Sequence, residues 1–248
     1  MEINLLQLWS DMGLPIRVVV IALTLQAVAC VGVVVDRLLL LYQAGKRSRD
    51  AAVALQAAME SGQYEKATQA LAEAQPNHLT RYLEEGLRTF LTQRAAGQDV
   101  LRSGELARRA LGRKGDTISR ELNRGMNVLA STGSTAPFIG LLGTVLGIIH
   151  AFRVIAATGS GGIGTIGASI GEALIVTGYG LIVAIPSVLI FNGLSARIAA
   201  YEAGMVNAGG ELIDRLESGS TRATPSLRPS LAEQVTRRPP LPATEPRS

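Results

Sequence analysis

Between Arg153 and Arg197 a single side chain carries a charge, the carboxylate of Glu172 in the stretch IGEALIVTGYGLIVAIPSVLIFN. A carboxylate kept among apolar neighbours serves either as a structural hydrogen-bonding group or as a site that gains and loses a proton. Charged and facing lipid at mid-bilayer it would cost roughly 3 kcal/mol or more, so it must face protein or water, or be protonated. Desolvation makes any carboxylic acid harder to ionise, which brings proton exchange towards neutral pH. Ion handling is therefore the favoured reading. Two hydroxyls, Thr144 and Thr177, can add oxygen ligands or hold water along the same depth. Thr144 can equally bond its own backbone carbonyls.

Other residues that often carry chemistry do not combine. Cys30 is the single cysteine and lies in an apolar block, so it forms no disulfide or thiol site. His78 and His150 lack a second ligand at metal spacing. The segment GSGGIG has no lysine to complete a phosphate-binding loop. The sequence reads as a non-enzyme with no cofactor.

The elements that must position Glu172 follow from where charge is missing. Apolar residues make up 47% of the 248, and the mean hydropathy is +0.26. They are gathered in blocks: Val18 to Val35, Asn127 to Phe152, and Thr165 to Ser195 around Glu172. Each block is long enough for a helix to cross a hydrocarbon core of about 30 Å. A cleavable signal peptide fits the N-terminus poorly, because MEINLLQLWSDMGLP has acids where a basic region is required.

Basic residues cluster after Arg37, among them Lys46, Arg47, Arg49, Arg108, Arg109, Arg113, Lys114, Arg120 and Arg124. The positive-inside rule then places the N-terminus outside and the C-terminus inside. The predicted order is an outer segment 1–15, span 16–42, a cytoplasmic helical domain 43–126, span 127–156, a short outer turn 157–164, span 165–198, a cytoplasmic helical end 199–217 and a Pro-rich disordered tail 218–248. The first cytoplasmic helix is expected to start at an N-cap, Ser61, and to run to Pro76. Leu79, Tyr82, Leu83 and Leu87 then form an apolar stripe. Ile118, Leu122, Met126 and Leu129 continue one stripe across the predicted boundary, which predicts a second span projecting into the cytoplasm. The isoelectric point of 9.6 is explained by this topology and by anionic inner-leaflet lipids rather than by nucleic acid, for which no recognition module is present.

Gly140, Gly143 and Gly147 fall at i, i+3 and i+7, so a neighbouring helix can approach that face closely. Gly164, Gly167, Gly171 and Gly178 repeat the device on the third span.

APFIGLLGTVLGIIHAF, a short Gly-rich turn and then IGEALIVTGYGLIVAIPSVLIFN resemble the signature of the ExbB, TolQ and MotA proton-channel family. The resemblance is strong over the membrane hairpin, looser over VDRLLLLYQA and the cytoplasmic helices, and absent from the tail. It implies an all-α integral membrane protein, a homo-oligomeric and pentameric bundle of three-span subunits with long helical cytoplasmic extensions, in the bacterial inner membrane.

By motif match the resemblance makes Glu172 the pore-facing glutamate and assigns Thr144 and Thr177 to the proton pathway; Pro137, Gly140, Gly143, Gly147, Gly171, Gly178 and Pro186 are expected to serve helix packing. It also implies a dimer of single-span ExbD- or TolR-like partners that supply an essential aspartate, and a TonB- or TolA-like receiver of the force. Three spans match ExbB and TolQ rather than the four-span MotA type, and Tyr179 stands where small residues are common. A gliding-type motor subunit, a secondary transporter and a structural scaffold are the alternatives. A transporter would need an internal repeat or more spans, and a scaffold would not need Glu172.

Overall fold

The structure, a computed structural model, describes Trp9 and residues 12–60, 76–158 and 163–218. The expected helix from Ser61, the Gly-rich turn at 159–162 and the tail from 219 lie outside the described residues. Five helices are described: α1 (Leu14–Glu60), α2 (His78–Ala95), α3 (Val100–Leu122), α4 (Met126–Thr158) and α5 (Ile163–Ser218). Three of them, α1, α4 and α5, contain stretches long and apolar enough to cross a membrane. The chain divides into two compact units, residues 1–38 with 124–195 and residues 39–123 with 196–248.

The first unit holds the apolar stretches side by side. α1 starts where Gly13 O accepts from both Ile16 N and Arg17 N, and Pro15 is harmless there because a first-turn N–H has no intrahelical partner to lose. A Cβ on Gly13 would contact His150, one on Gly143 would contact Val19, and one on Gly125 would contact Val33, so α1 and α4 run antiparallel. The α4 to α5 contacts pair Gly147 with Ala173, Gly143 with Val176, and Gly133 with Val188, again antiparallel. The buried core between them comprises Met12, Ile16, Val19, Leu23, Ala136, Val176, Val183 and Ala184. Outside it, Val18, Ile21, Leu25, Val28, Val31 and Val35 form an exposed apolar stripe along α1. A stripe of this length suits hydrocarbon and not water.

The second unit is built on capping and an apolar seam. Asn77 caps α2: its Oδ1 accepts from Thr80 N at 2.9 Å, while Asn77 N donates to Thr80 Oγ1 at 2.9 Å. Asp99 caps α3 by accepting from Arg102 N. Leu79, Tyr82, Leu83, Leu87 and Phe90 on α2 are buried, as are Ala107, Ala110, Leu111, Ile118 and Leu122 on α3. Ion pairs rim the seam. Arg81 reaches Glu121 with both terminal nitrogens, at 2.9 and 3.2 Å. This bond, ahead of burial acting the other way, holds the Glu121 carboxyl below the usual carboxylate range. Arg108 binds Glu217 and, at 2.9 Å, Asp214, near the end of α5.

The expected single stripe through Ile118, Leu122, Met126 and Leu129 is buried throughout, but the helix is not continuous. α3 ends at Leu122 and α4 begins at Met126, because Gly125 takes φ +80°, a left-handed conformation that an α-helix cannot contain. All three apolar helices outrun the roughly 20 residues a bilayer requires, α1 having 47 residues, α4 33 and α5 56.

Candidate functional site

Close approach between α4 and α5 depends on glycine at particular positions. A Cβ on Gly140 would lie 3.1 Å from Thr177 Cα and 3.3 Å from Gly180 Cα, and one on Gly180 would lie 2.7 Å from the Ala136 carbonyl oxygen. Backbone meets backbone here, which is the arrangement small residues permit between membrane helices. Gly143 and Gly147 lie on the same seam, against Val176 and Ala173. Gly171 and Gly178 differ: a Cβ at either would meet nothing within 4 Å. Pro137 and Pro186 sit inside α4 and α5, and both helices continue through them.

The close seam lets Thr177 Oγ1 donate to Gly140 O at 2.9 Å, a bond between helices. Thr144, one turn beyond Gly140, donates to Leu141 O of its own helix at 2.6 Å. A hydroxyl has one proton. With both protons committed to carbonyls, each oxygen has only lone pairs left, suited to receiving a donor such as water or hydronium.

Glu172 is half-buried. Its neighbour Ala173 packs at the level of Gly147, where a Cβ would also touch Ile16. Glu172 therefore stands level with the first turn of α1 and roughly 26 Å along the axis from the level of Val33. It lies towards one end of the span and not at its middle, so the mid-bilayer cost sets only an upper limit. Along α5, Thr177 is about 140° around the helix from Glu172. The structure therefore places Thr177 on the α4–α5 seam, leaves Thr144 bonded within α4, and turns Glu172 to another side of α5.

Two polar contacts escaped the sequence reading. Tyr179 Oη lies 3.1 Å from Thr24 Oγ1, and Gln26 Nε2 donates to Thr135 Oγ1 at 3.4 Å. Thr24 and Gln26 are the polar side chains with nitrogen or oxygen in the first apolar block, and that is the signal that could have flagged them. Among the described residues no group of three or more His, Cys, Asp or Glu is placed to hold a metal.

The model of the MotA/TolQ/ExbB proton channel family matches residues 52–206, more than half of the chain. Among curated relatives, the biopolymer transport protein ExbB of Xanthomonas campestris pv. campestris is 44% identical over 124 residues, covering 50% of this chain and 49% of the relative. The ExbB of Pseudomonas putida is 41% identical over 113 residues, 44% of this chain and 34% of the relative. That of Neisseria gonorrhoeae is 53% identical over 78 residues, 32% of this chain and 36% of the relative. The chain thus spans between about a third and about half of the length of these relatives. The family match takes in all of α4 and the part of α5 that carries Glu172, and with it the chain belongs to the MotA/TolQ/ExbB proton channel family.

Proposed function

We propose that this chain is a proton-conducting subunit of an inner-membrane assembly that converts the proton-motive force into mechanical work. Five copies surround the single-span helices of an ExbD- or TolR-like dimer, with the N-terminus on the outer side and the C-terminus in the cytoplasm. Similarity to proteins named for biopolymer transport supports outer-membrane energisation as the output. The observation that carries the reading is Glu172, the one charged side chain between Arg153 and Arg197. It is half-buried, on a helix whose neighbour is drawn in to backbone contact by Gly140 and Gly180. Binding and releasing a proton is the chemistry a carboxyl offers there, and the lone pairs of the Thr144 and Thr177 hydroxyls provide acceptors further along the span.

The test is complementation in a strain lacking the native subunit. Glu172→Gln keeps size and hydrogen-bonding capacity while removing titration, so it should assemble to the parent's native mass and fail to support energised uptake or growth. Glu172→Asp should retain part of the activity. Full complementation by Glu172→Gln would rule the reading out.

A further inference from the structure

Tyr179 is a large hydroxylated side chain on α5, and the proton-carrying role of Glu172, Thr144 and Thr177 does not use it. Its contact is defined by proton counting. Thr24 Oγ1 donates its proton to Val20 O at 2.8 Å, so in the 3.1 Å contact between the two hydroxyls the Tyr179 phenol is the donor and Thr24 the acceptor. This joins α5 to α1 inside the apolar stretch, where a polar pair has no other reason to be tolerated and where a hydroxyl left without a partner is costly. Tyr179 also packs on the buried core with Val20, Ala27, Ile139 and Leu146.

Tyr179 and Glu172 share one face of α5. Seven residues bring the helix within about 20° of two full turns, some 10 Å apart along the axis. Thr177, by contrast, lies well around the helix and holds α4. The two hydroxyl bonds therefore clamp α5 from two sides, Thr177 to α4 and Tyr179 to α1, and together they fix its rotation about its own axis. A rotation of α5 by even one residue step, about 100°, would turn Glu172 to another side of the bundle.

We propose that the Tyr179–Thr24 hydrogen bond is a positioning latch that fixes the rotation of α5 relative to α1, so that Tyr179 and Thr24 set the orientation from which Glu172 exchanges its proton. The proposal rests on Glu172 being the proton carrier. Tyr179 and Thr24 act through Glu172 by fixing the helix that bears it.

The experiment measures proton flux against pH in proteoliposomes holding the complex purified with its native partners. The variants are Tyr179→Phe, Thr24→Val, Thr24→Ser, the double variant Tyr179→Phe with Thr24→Val, and Glu172→Gln. Tyr179→Phe and Thr24→Val preserve shape and should each lower flux about three- to tenfold, the size of one hydrogen bond's net contribution. They should also displace the midpoint of the pH profile by at least about half a unit, which general loosening of the fold would not do. Thr24→Ser keeps the hydroxyl and should restore the parent profile. The double variant should be no worse than Tyr179→Phe alone, because both changes remove the same bond.

Parent-like profiles for Tyr179→Phe and Thr24→Val beside a dead Glu172→Gln would overturn the latch and leave the carrier standing. Undiminished flux through Glu172→Gln would overturn both. Equal defects in Thr24→Ser and Thr24→Val would show that packing, and not the hydroxyl, matters, and would also sink the latch. A variant that assembles poorly is read by flux per assembled complex, and a parent-like midpoint in that measure counts against the latch.

Discussion

The Gly180→Ala substitution probes the seam that carries the site. Its new methyl carbon would stand 2.7 Å from the Ala136 carbonyl oxygen and 3.1 Å from Gly140 Cα. These are backbone atoms in a continuous helix, so no side chain can swing aside. The helices must separate by several tenths of an ångström, and overpacking of this kind costs about 1–3 kcal/mol. Separation also stretches the 2.9 Å bond from Thr177 Oγ1 to Gly140 O, worth about 1 kcal/mol net. The expected loss is about 2–4 kcal/mol, read by unfolding in mixed micelles titrated with SDS. Gly193→Ala is the matched control on the same helix, because nothing lies within 4 Å of its added carbon. It should be neutral, or stabilising by up to about 1 kcal/mol through helix propensity. Equal stability of the Gly180→Ala variant and the parent would refute the backbone-to-backbone seam.

Further outcomes concern the second unit and the tail. Glu121 is held below its ordinary range by Arg81, so its contribution is present at neutral pH and lost as pH falls below about 4.5 through the lowered value. Arg81→Gln should flatten that acid limb of a thermal-stability profile, by less than about 1 kcal/mol because both side chains are around 40% exposed. Asn77→Ala removes the α2 cap and should destabilise the second unit by about 1 kcal/mol in thermal melts, whereas Asn77→Ser should not. Removing residues 219–248, which are rich in Pro, Ser, Thr and Arg, should leave the native mass of the membrane complex unchanged apart from the deleted residues.

The spans could be read from the sequence because excluding charge from hydrocarbon is a property of each stretch by itself. The stripe at Leu79, Tyr82, Leu83 and Leu87 was legible for the same reason: helical spacing alone defines a face, and all four are buried. Register between helices is a different kind of information. Nothing within IGEALIVTGYG states that Ala173 meets Gly147, so the level of Glu172 near the start of α1 was invisible. Glycine spacing likewise marks a face without naming its partner. Gly180 and Gly133 turn out to be tight positions, while Gly171 and Gly178 face open space. The break at Gly125 was masked because the buried stripe resumes on the far side of it. Tyr179 was visible as an oddity in size, but its partner Thr24 is 155 residues away in the chain.

The central claim is that a proton is carried by Glu172, and the most direct measurement is pH-gradient-driven proton flux through purified complexes of matched native mass in proteoliposomes. The account predicts flux in the parent, reduced flux in Glu172→Asp, and flux at the level of empty vesicles in Glu172→Gln with assembly intact. Flux through Glu172→Gln equal to that of the parent would contradict it.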